Sequence, residues 1–471
     1  MGAKGRQETE RGRAAAQAVL SGAAGGAGPV LPVAGPDAWT AFDQEIRAFP
    51  PYRYAGTARP EAALCHPDGR IRQQALSAPH PTPELVAIRC ADWVPAVRRR
   101  ARRVLADLLA ADPMQALLRL TPLVLRLGRR EQGAWALELF EGALRAGAGG
   151  PALAGLHDSP DLPTRRLAAR VAVGAGAPDV RELARRAAAE RDPATGRTWT
   201  DAALALAAAA PGGPDAEAVD TLLGGHGPLV RSAGVTLLRR AGRGAEAGRY
   251  LGDRSGLVRA CARWVVRQDG GDPYALSLAR VTGPGPVTSA AVLGFAECAG
   301  REDAPLLRTL LEHPVGAVRA GAVAGLRLID THDTGLLEPL LDDPAPAVAR
   351  EASLSLRASA DRLHPGRLLE RLAPGRPPHT RRAAYRLLRA RGGTVSLRAS
   401  VDLLADGDAD LRRIAGQYVQ SLWSPYGTPA LPTGDPEVGV LLDRCTGLFS
   451  EHVVHQMRRQ LGLPLRGSPT N

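Results

Sequence analysis

A short pattern of residues returns about every 30 residues along most of this chain, and it limits what the chain can fold into. The pattern is an apolar residue followed by Arg, then Ala at the fourth position after the first and another apolar residue at the eighth. Successive starts in the C-terminal half are 28, 29, 31, 30, 32 and 31 residues apart. A fixed period of this length is typical of stacked supersecondary units, not of a domain with one closed core. The clear copies start at Val97, Val258 and Val318, and the looser ones at Ile71, Thr164, Thr198, Val230, Val287, Val348, Thr380 and Leu411.

The spacing within each copy predicts a helix, because positions four and eight residues apart share one stripe of an α-helix. Hydrophobic residues make up 45% of the chain but aromatic residues only 4%, so the interior must be built from Ala, Leu and Val. A short Leu-rich segment precedes several copies, as in residues 304–312 and 334–341. Each repeat is therefore predicted to hold two helices, separated by a turn that contains Gly or Pro.

The repeats predict an all-α fold with five segments. Residues 1–36 are rich in Ala and Gly and are predicted to be disordered. Residues 37–58 are predicted to form an aromatic cap, residues 59–422 the repeats, residues 423–464 a loop and two capping helices, and residues 465–471 a tail. In the N-terminal cap, Asp37 is the predicted helix N-cap, and the aromatic or apolar side chains are Trp39, Phe42, Ile46, Phe49, Tyr52 and Tyr54.

The charge and the cysteines bear on the partner and the compartment. The net charge is +12, and Lys4 is the only lysine, so arginine supplies nearly all of the positive charge. A basic balance fits an acidic protein or a nucleic acid as partner, although GC-rich codons alone would also enrich arginine. The five cysteines are widely spaced with no CxxC, which indicates reduced thiols and a cytoplasmic protein. No apolar run approaches 18 residues, so no membrane span is expected.

The pattern resembles the HEAT repeat, and more closely the HEAT-like repeats first named for phycobilisome lyases. In that family an Asp in the turn stands five residues before Val-Arg. Asp92, Asp253 and Asp406 stand at that spacing before Val97, Val258 and Leu411. His313 replaces the Asp before Val318, and Arg350 lies one place late after Val348. The resemblance implies an α-solenoid of about ten to twelve two-helix repeats between N- and C-terminal caps, with second helices lining the concave face.

The charged residues of the motif have two interpretations. The first is a structural ladder, in which the turn Asp caps the second helix and pairs with an Arg. Its members are Asp92, Arg98, Asp253, Arg259, Asp406 and Arg412. Further arginines exceed what such a ladder requires, and they predict a basic row on the concave face that binds a partner or is only a solvated helix face. That row consists of Arg99, Arg100, Arg103, Arg166, Arg382 and Arg413.

No catalytic or metal-binding constellation stands out. Cys445, His452 and His455 are close in sequence, but no fourth ligand accompanies them, so no metal and no cofactor is expected. Trp93 beside Asp92, and Trp199 near Asp201, invite comparison with HEAT-like alkylpurine DNA glycosylases, but no wider motif aligns.

The sequence therefore predicts a non-catalytic scaffold or adaptor that binds a protein partner with an acidic segment along its concave face. The first alternative is nucleic-acid binding through the basic row. The second is an enzyme of the glycosylase or lyase kind.

Overall fold

Every regular element in the described part of the protein is a helix. The computed structural model describes residues 3–23, 30–31, 34–48, 59–147, 150–331, 333–424, 430–445 and 447–464, and these ranges contain no β-strand. The chain divides into two compact units, Met1–Gly242 and Arg243–Asn471.

The first unit contains fourteen α-helices within the described ranges. They are α1 Ala3–Leu20, α2 Pro36–Ala48, α3 Pro60–Leu64, α4 Gly69–Ala75, α5 Pro83–Arg89, α6 Pro95–Ala111, α7 Pro113–Leu127, α8 Ala134–Ala146, α9 Pro151–His157, α10 Leu162–Gly174, α11 Val180–Ala189, α12 Pro193–Ala209, α13 Ala216–Leu223 and α14 Pro228–Arg240.

The second unit combines α-helices with short 3₁₀ segments. The α-helices are α15 Gly256–Gln268, α16 Pro273–Thr282, α17 Ser289–Ala296, α18 Ala304–Thr309, α19 Gly316–Leu328, α20 Thr334–Leu337, α21 Pro346–Ser355, α22 Pro365–Leu372, α23 Pro378–Arg391, α24 Gly393–Leu403, α25 Ala409–Ser421, α26 Pro436–Asp443 and α27 Glu451–Gln460. The 3₁₀ segments are Gly244–Gly252, Arg301–Asp303, Leu310–Glu312, Pro339–Asp342 and Leu356–Ser359.

Consecutive helices of the first unit pack as pairs, from α3 with α4 to α13 with α14. Corresponding helices of neighbouring pairs also touch: α5 contacts α7, α10 contacts α12, and α12 contacts α14. The second unit repeats this arrangement, because α17, α19, α21 and α23 contact one another in succession, while the shorter elements pack beside them. A continuous apolar core in this unit extends from Val281 to Ala415.

The repeating motif has a fixed place on the second helix of a pair. Its first residue is the third residue of the helix at Val97, Val258, Val318 and Val348. A Pro or Gly occupies the first helical position in all four cases, where Pro loses no intrahelical hydrogen bond. The Ala and the apolar residue that follow are buried on the same stripe, as at Ala322 and Leu326. The small side chain lets the adjacent helix approach closely.

Two of the predicted repeat starts are wrong. Thr195 holds the third position of α12, not Thr198, and Ala291 holds it in α17, not Val287. Asp192 accepts hydrogen bonds from the backbone and hydroxyl of Thr195, which fixes the start of α12. Neither helix carries Arg after its third residue, so the sequence signal for the register is missing there.

The predicted disorder of residues 1–36 is corrected over residues 3–20, which form α1. This helix packs along α2 and buries Ala16 and Val19. Gly12 lies so close to α2 that a Cβ there would stand 2.1 Å from the carbonyl oxygen of Ala38. The small residues of α1 thus bury apolar surface, because a second helix lies directly against them. Asp37, predicted to be the N-cap of α2, instead lies inside its first turn and binds Arg126 at 3.1 Å.

The cap predicted over residues 37–58 is described only as far as the end of α2. Trp39, Phe42 and Ile46 are buried on one side of that helix. Phe49, Tyr52 and Tyr54 lie outside the described residues. At the other end of the chain, α26 and α27 share an apolar core with residues of α24 and α25. The tail predicted at residues 465–471 also lies outside the described residues.

A buried cluster of charges fastens α2 to the first helix pairs. Arg89 binds Asp43 of α2 and also Asp92, at 3.1 Å to the latter. Arg72 binds both oxygens of Asp92 at 2.9 Å, and Arg47 of α2 reaches the same carboxylate at 3.3 Å. Arg72 and Arg89 are fully buried. Two carboxylates thus neutralise most of the charge of three arginines within the protein.

We predict that Ala322→Glu strongly destabilises the protein, whereas Ala317→Glu on the same helix does not. Ala322 is completely buried between packed helices, so a carboxylate there lacks both water and a counter-charge, at a cost of several kcal/mol. Ala317 is exposed in the first turn of α19, where a negative charge is tolerated. Thermal melting of the two variants and the parent checks this. Equal melting temperatures for the two variants would mean that the packing register of α19 is wrong.

Candidate functional site

The motif arginine makes the same hydrogen bond in many helix pairs. It follows the third residue of the second helix, and its Nη1 donates to the backbone carbonyl six residues earlier, across the turn between the two helices. In Arg98 this bond reaches Asp92 at 2.7 Å. The same bond is made by Arg72, Arg165, Arg231, Arg259, Arg319 and Arg412. This contact stabilises the turn with a donor that no other side chain presents in the same geometry.

The turn aspartates do not cap the second helix, which corrects the predicted role. The carboxylate of Asp92 accepts from the backbone N–H of Val94, and Asp253 accepts from Ser255 in the same way. In each case the carboxylate accepts from the backbone N–H of the residue two positions later in the chain. This hydrogen bond closes the turn before the second helix begins. For Asp406 that N–H belongs to Asp408, whose own side chain is the N-cap of α25.

Several turn carboxylates also receive an arginine from the preceding helix pair. Arg319 binds the two oxygens of Asp343 at 2.8 and 2.9 Å. Arg381 binds one oxygen of Asp406, and Arg259 binds both oxygens of Glu297, which directly follows α17. These contacts and the pair Arg72–Asp92 form the ladder that joins one helix pair to the next. The motif arginines that make these ion pairs therefore act in the fold.

Ionisation of these turn carboxylates is favoured in the folded state. Burial would raise the pKa of Asp343, but the hydrogen bonds from Arg319 and from the N–H of Ala345 lower it overall. The Arg381 guanidinium likewise lowers the pKa of Asp406. The charged form is the one that links neighbouring pairs, so the ladder depends on these carboxylates remaining deprotonated.

The arginines of the predicted basic row differ in their surroundings. Arg166 is not surplus, because it binds both oxygens of Asp192 at 2.8 and 2.9 Å and thus joins α10 to α12. Arg382 contacts Asp410 at 3.0 Å, and Arg413 lies 3.7 Å from the same residue. Within the described residues Arg99, Arg100 and Arg103 have no ion pair; Arg99 and Arg103 are exposed, and Arg100 is half-buried.

A cavity of about 400 Å³ in the second unit gathers several arginines. It lies among α21, its following 3₁₀ segment, α23 and α25. Its walls are Leu354, Arg357, Arg382, Tyr385, Arg386, Arg389, Ala390, Leu411, Ile414 and Tyr418. We call this the arginine cavity. Its wall combines four arginines and two tyrosines with apolar residues.

Helical spacing explains why these arginines meet. Arg382, Arg386 and Arg389 lie at i, i+4 and i+7 of α23 and so share one stripe of the helix. When α21 and α23 are aligned on their third residues, Arg357 takes the position of Arg389. The arginines of two neighbouring helices therefore lie side by side. The sequence pattern indicated only Arg382, because it was followed no further than the first turns of each helix. The same alignment, extended by two helical turns, predicts Arg357, Arg386 and Arg389 as well.

The positive charge in the arginine cavity is largely uncompensated. Among the described residues no carboxylate binds Arg357, Arg386 or Arg389. Arg386 donates instead to the hydroxyl of Ser353. Burial is the main cause of a lowered pKa of the Arg386 guanidinium; the charges of Arg350, Arg357 and Arg389 lower it further, and the charge of Glu351 partly opposes them. Such a concentration of charge is costly without an anion, so the cavity has the electrostatics of an anion-binding site.

Two tyrosines hold Arg389 in position. The guanidinium carbon of Arg389 lies 4.7 Å from the ring centre of Tyr418 and 5.9 Å from that of Tyr385. Tyr385 is 2% exposed and its hydroxyl is 2.8 Å from that of Ser400. The Tyr418 hydroxyl accepts a hydrogen bond from Ser396 at 2.9 Å. Both rings are thus fixed from α24, and Arg389 is restrained above them.

The other residues singled out in the sequence serve the fold. Trp93 is 63% exposed, but the Arg47 and Arg72 guanidiniums lie 4.4 and 4.8 Å from its ring centre. Its neighbour Asp92 is occupied by arginines. Trp199 is buried 5.2 Å from the ring of His157, whereas Asp201 is exposed. These two neighbourhoods present no free carboxylate beside an open aromatic face.

The three residues considered as metal ligands are not brought together in a ligand set. Cys445 is buried, its thiol donates to the carbonyl of Leu441, and burial raises its pKa to about 11. His452 is exposed and His455 half-buried. The described part of the chain holds no group of three or more His, Cys, Asp or Glu side chains that could bind a metal ion.

Comparison of the sequence with models of known protein families and with curated proteins gives no match. In the described ranges, none of the helices combines the length and the apolar character needed to cross a membrane.

We predict that Asp343→Asn lowers the stability at neutral pH by about 1–2 kcal/mol, since the ion pair with Arg319 is lost while the turn acceptor remains. The lowered pKa of Asp343 means that its contribution is present above the unfolded-state pKa of about 3.9. The contribution is lost as the pH falls through the lower folded-state value. The difference between parent and variant should therefore shrink in acid, as measured by urea unfolding at a series of pH values.

Asp361→Asn is the matched control for this experiment. Asp361 is exposed, and its carboxylate has no partner among the described residues. This variant should match the parent at every pH. A deficit of Asp343→Asn that stays constant down to pH 2 would contradict the assigned ion pair.

Proposed function

We propose that this protein is a non-catalytic adaptor of the HEAT-repeat type, an α-solenoid that binds an acidic segment of a partner protein. The stacked helix pairs of each unit and the arginine ladder between successive turns support the architecture. The arginine cavity supports the binding activity, because Arg357, Arg386 and Arg389 carry charge that the protein itself does not neutralise. We infer that the arginine cavity is the anchor point of the partner.

A peptide is a suitable occupant on geometric grounds. Packed helices are about 8–10 Å apart, and an extended chain advances about 3.3 Å per residue. The distance from one second helix to the next thus corresponds to about three residues of an extended partner peptide. Arg350 and Arg413 stand on either side of the arginine cavity at the fifth residue of α21 and α25. An extended segment that passes over α21, α23 and α25 would meet a basic side chain at each step.

The aromatic residues favour a protein partner over nucleic acid. Single-stranded nucleic acid is held largely by bases that stack on exposed aromatic rings. Tyr385 is buried, and Arg389 already lies over Tyr418, so a base would have to displace a guanidinium to stack there. The apolar residues of the cavity wall, which include the half-buried Leu354 and Ile414, suit an aliphatic side chain better than a base.

An enzymatic role has no support in the arginine cavity. Its wall residues include four arginines and two tyrosines but no carboxylate, histidine or cysteine that could act as a general base or nucleophile. Carboxylates elsewhere that the sequence placed next to tryptophan are exposed or bound by arginine. Binding is therefore the function that the cavity's chemistry fits best.

We predict that replacing Arg357, Arg386 and Arg389 together with Gln reduces the affinity for a Glu/Asp-rich peptide by at least about tenfold. Each charge-assisted contact contributes about 1.5–3 kcal/mol, and the loss of even one exceeds that factor. Fluorescence anisotropy with a labelled peptide measures the effect. Thermal melting should change little, because none of the three makes an ion pair in the described structure.

The matched control replaces Arg170, Arg197 and Arg240 with Gln. These residues are exposed in the first unit, and the change in net charge is the same. The control should bind the peptide like the parent. An equal loss of affinity in both triple variants would mean that binding follows net charge and not the arginine cavity. A single-stranded oligonucleotide that binds more tightly than the peptide, with a steep salt dependence, would favour the nucleic-acid alternative.

A further inference from the structure

We propose that the arginine cavity recognises a phosphorylated side chain in the acidic segment of the partner, next to an aliphatic residue, in preference to a carboxylate. This inference rests on the proposed adaptor function and specifies the chemistry of its anchor. It follows from the amount of unneutralised charge in the cavity, from the geometry of the donors and from the apolar residues in the cavity wall.

The charge to be neutralised exceeds that of one carboxylate. Three guanidinium groups without an acidic partner surround one cavity of about 400 Å³. A carboxylate brings a single negative charge and two oxygens. A phosphomonoester brings a charge of about −1.5 to −2 and three strong acceptor oxygens at neutral pH. One phosphoryl group can therefore accept from several of these arginines at once, whereas a carboxylate would leave most of the charge uncompensated.

The arrangement of the donors also fits a tetrahedral anion. Arg386 is half-buried and held by Ser353, so it supplies a donor fixed by the protein. Arg357 and Arg389 are exposed and approach from neighbouring helices. Arg389 is restrained by the two tyrosine rings. Guanidinium groups bind phosphate in a planar, two-pronged fashion, and groups that come from different helices can bind different edges of the same phosphoryl group.

The volume of the cavity limits what can enter. Leu354, Leu411, Ile414 and Ala390 form the apolar part of the cavity wall. A space of about 400 Å³ lies at the small end of ligand pockets, and it suits one phosphorylated side chain together with one aliphatic neighbour. Additional carboxylates of an acidic run would have to lie against the apolar wall, where they lose hydration.

The partner could then be controlled by its own phosphorylation. The cavity is already assembled by Tyr385, Tyr418 and Ser353, so the arrival of a phosphoryl group needs no rearrangement of the helices. Dephosphorylation of the partner would return the arginines to their repulsive, unliganded state and favour release.

The experiment uses three short synthetic peptides that differ only at the central position, which is Ser, Glu or phosphoserine, between two leucines. Affinities for the full-length protein are measured by calorimetry. We expect the phosphoserine peptide to bind at least about tenfold more tightly than the Glu peptide. Arg386→Gln should abolish this preference. Arg357→Gln, which changes an exposed side chain and leaves folding intact, should weaken it, and Arg170→Gln should leave it unchanged.

The outcomes separate this inference from the adaptor function. If the Glu and phosphoserine peptides bind equally and both depend on the cavity arginines, the phosphate inference is overturned and the adaptor function stands. If neither peptide binds, or if binding ignores the cavity arginines, the adaptor function fails as well. If inorganic phosphate alone binds as tightly as the phosphoserine peptide, the site takes free phosphate, and the inference of a peptide ligand is overturned.

Discussion

The fold depends on the bond between an arginine and the turn of its own helix pair. The guanidinium satisfies a backbone carbonyl that helix geometry leaves without a partner, and its remaining nitrogens reach the carboxylate of the next turn. One side chain thereby closes a turn and sets the distance to the neighbouring pair. Lysine has a single charged nitrogen and no planar fork, so it could not make both contacts in this geometry.

The sequence predicted the helices well wherever this bond exists. At Val97, Val258 and Val318 the apolar residue and the following Arg fixed both the helix and its register. The register failed in α12 and α17, where the Arg is missing and a capping residue sets the helix start. The helix α1 was missed for a related reason. Its apolar residues are few, and only the contact with α2 gives them a surface to bury.

The candidate site was predictable in part. The excess of arginine beyond the motif position drew attention to α23, where Arg382 lies in the wall of the cavity. The sequence did not reveal which arginines already have carboxylate partners, because those partners lie 26 or more residues away in the case of Arg166 and Arg382. Whether an arginine is left without a carboxylate partner depends on the neighbouring helices together. It therefore cannot be recognised from the sequence of one helix.

The buried charges that attach α2 to the first helix pairs define how far the chain can be shortened. Arg89 is inaccessible to water, and the carboxylate of Asp43 is one of the two that neutralise it. A protein that began at residue 59 would retain the buried cation and lose one of the two carboxylates that neutralise it. The penalty is electrostatic as well as hydrophobic, and solvent cannot reach the site to relieve it unless the first helices separate. Helix α2 thus supplies a counter-ion to the buried charge cluster. The smallest fragment that folds by itself must therefore include α2.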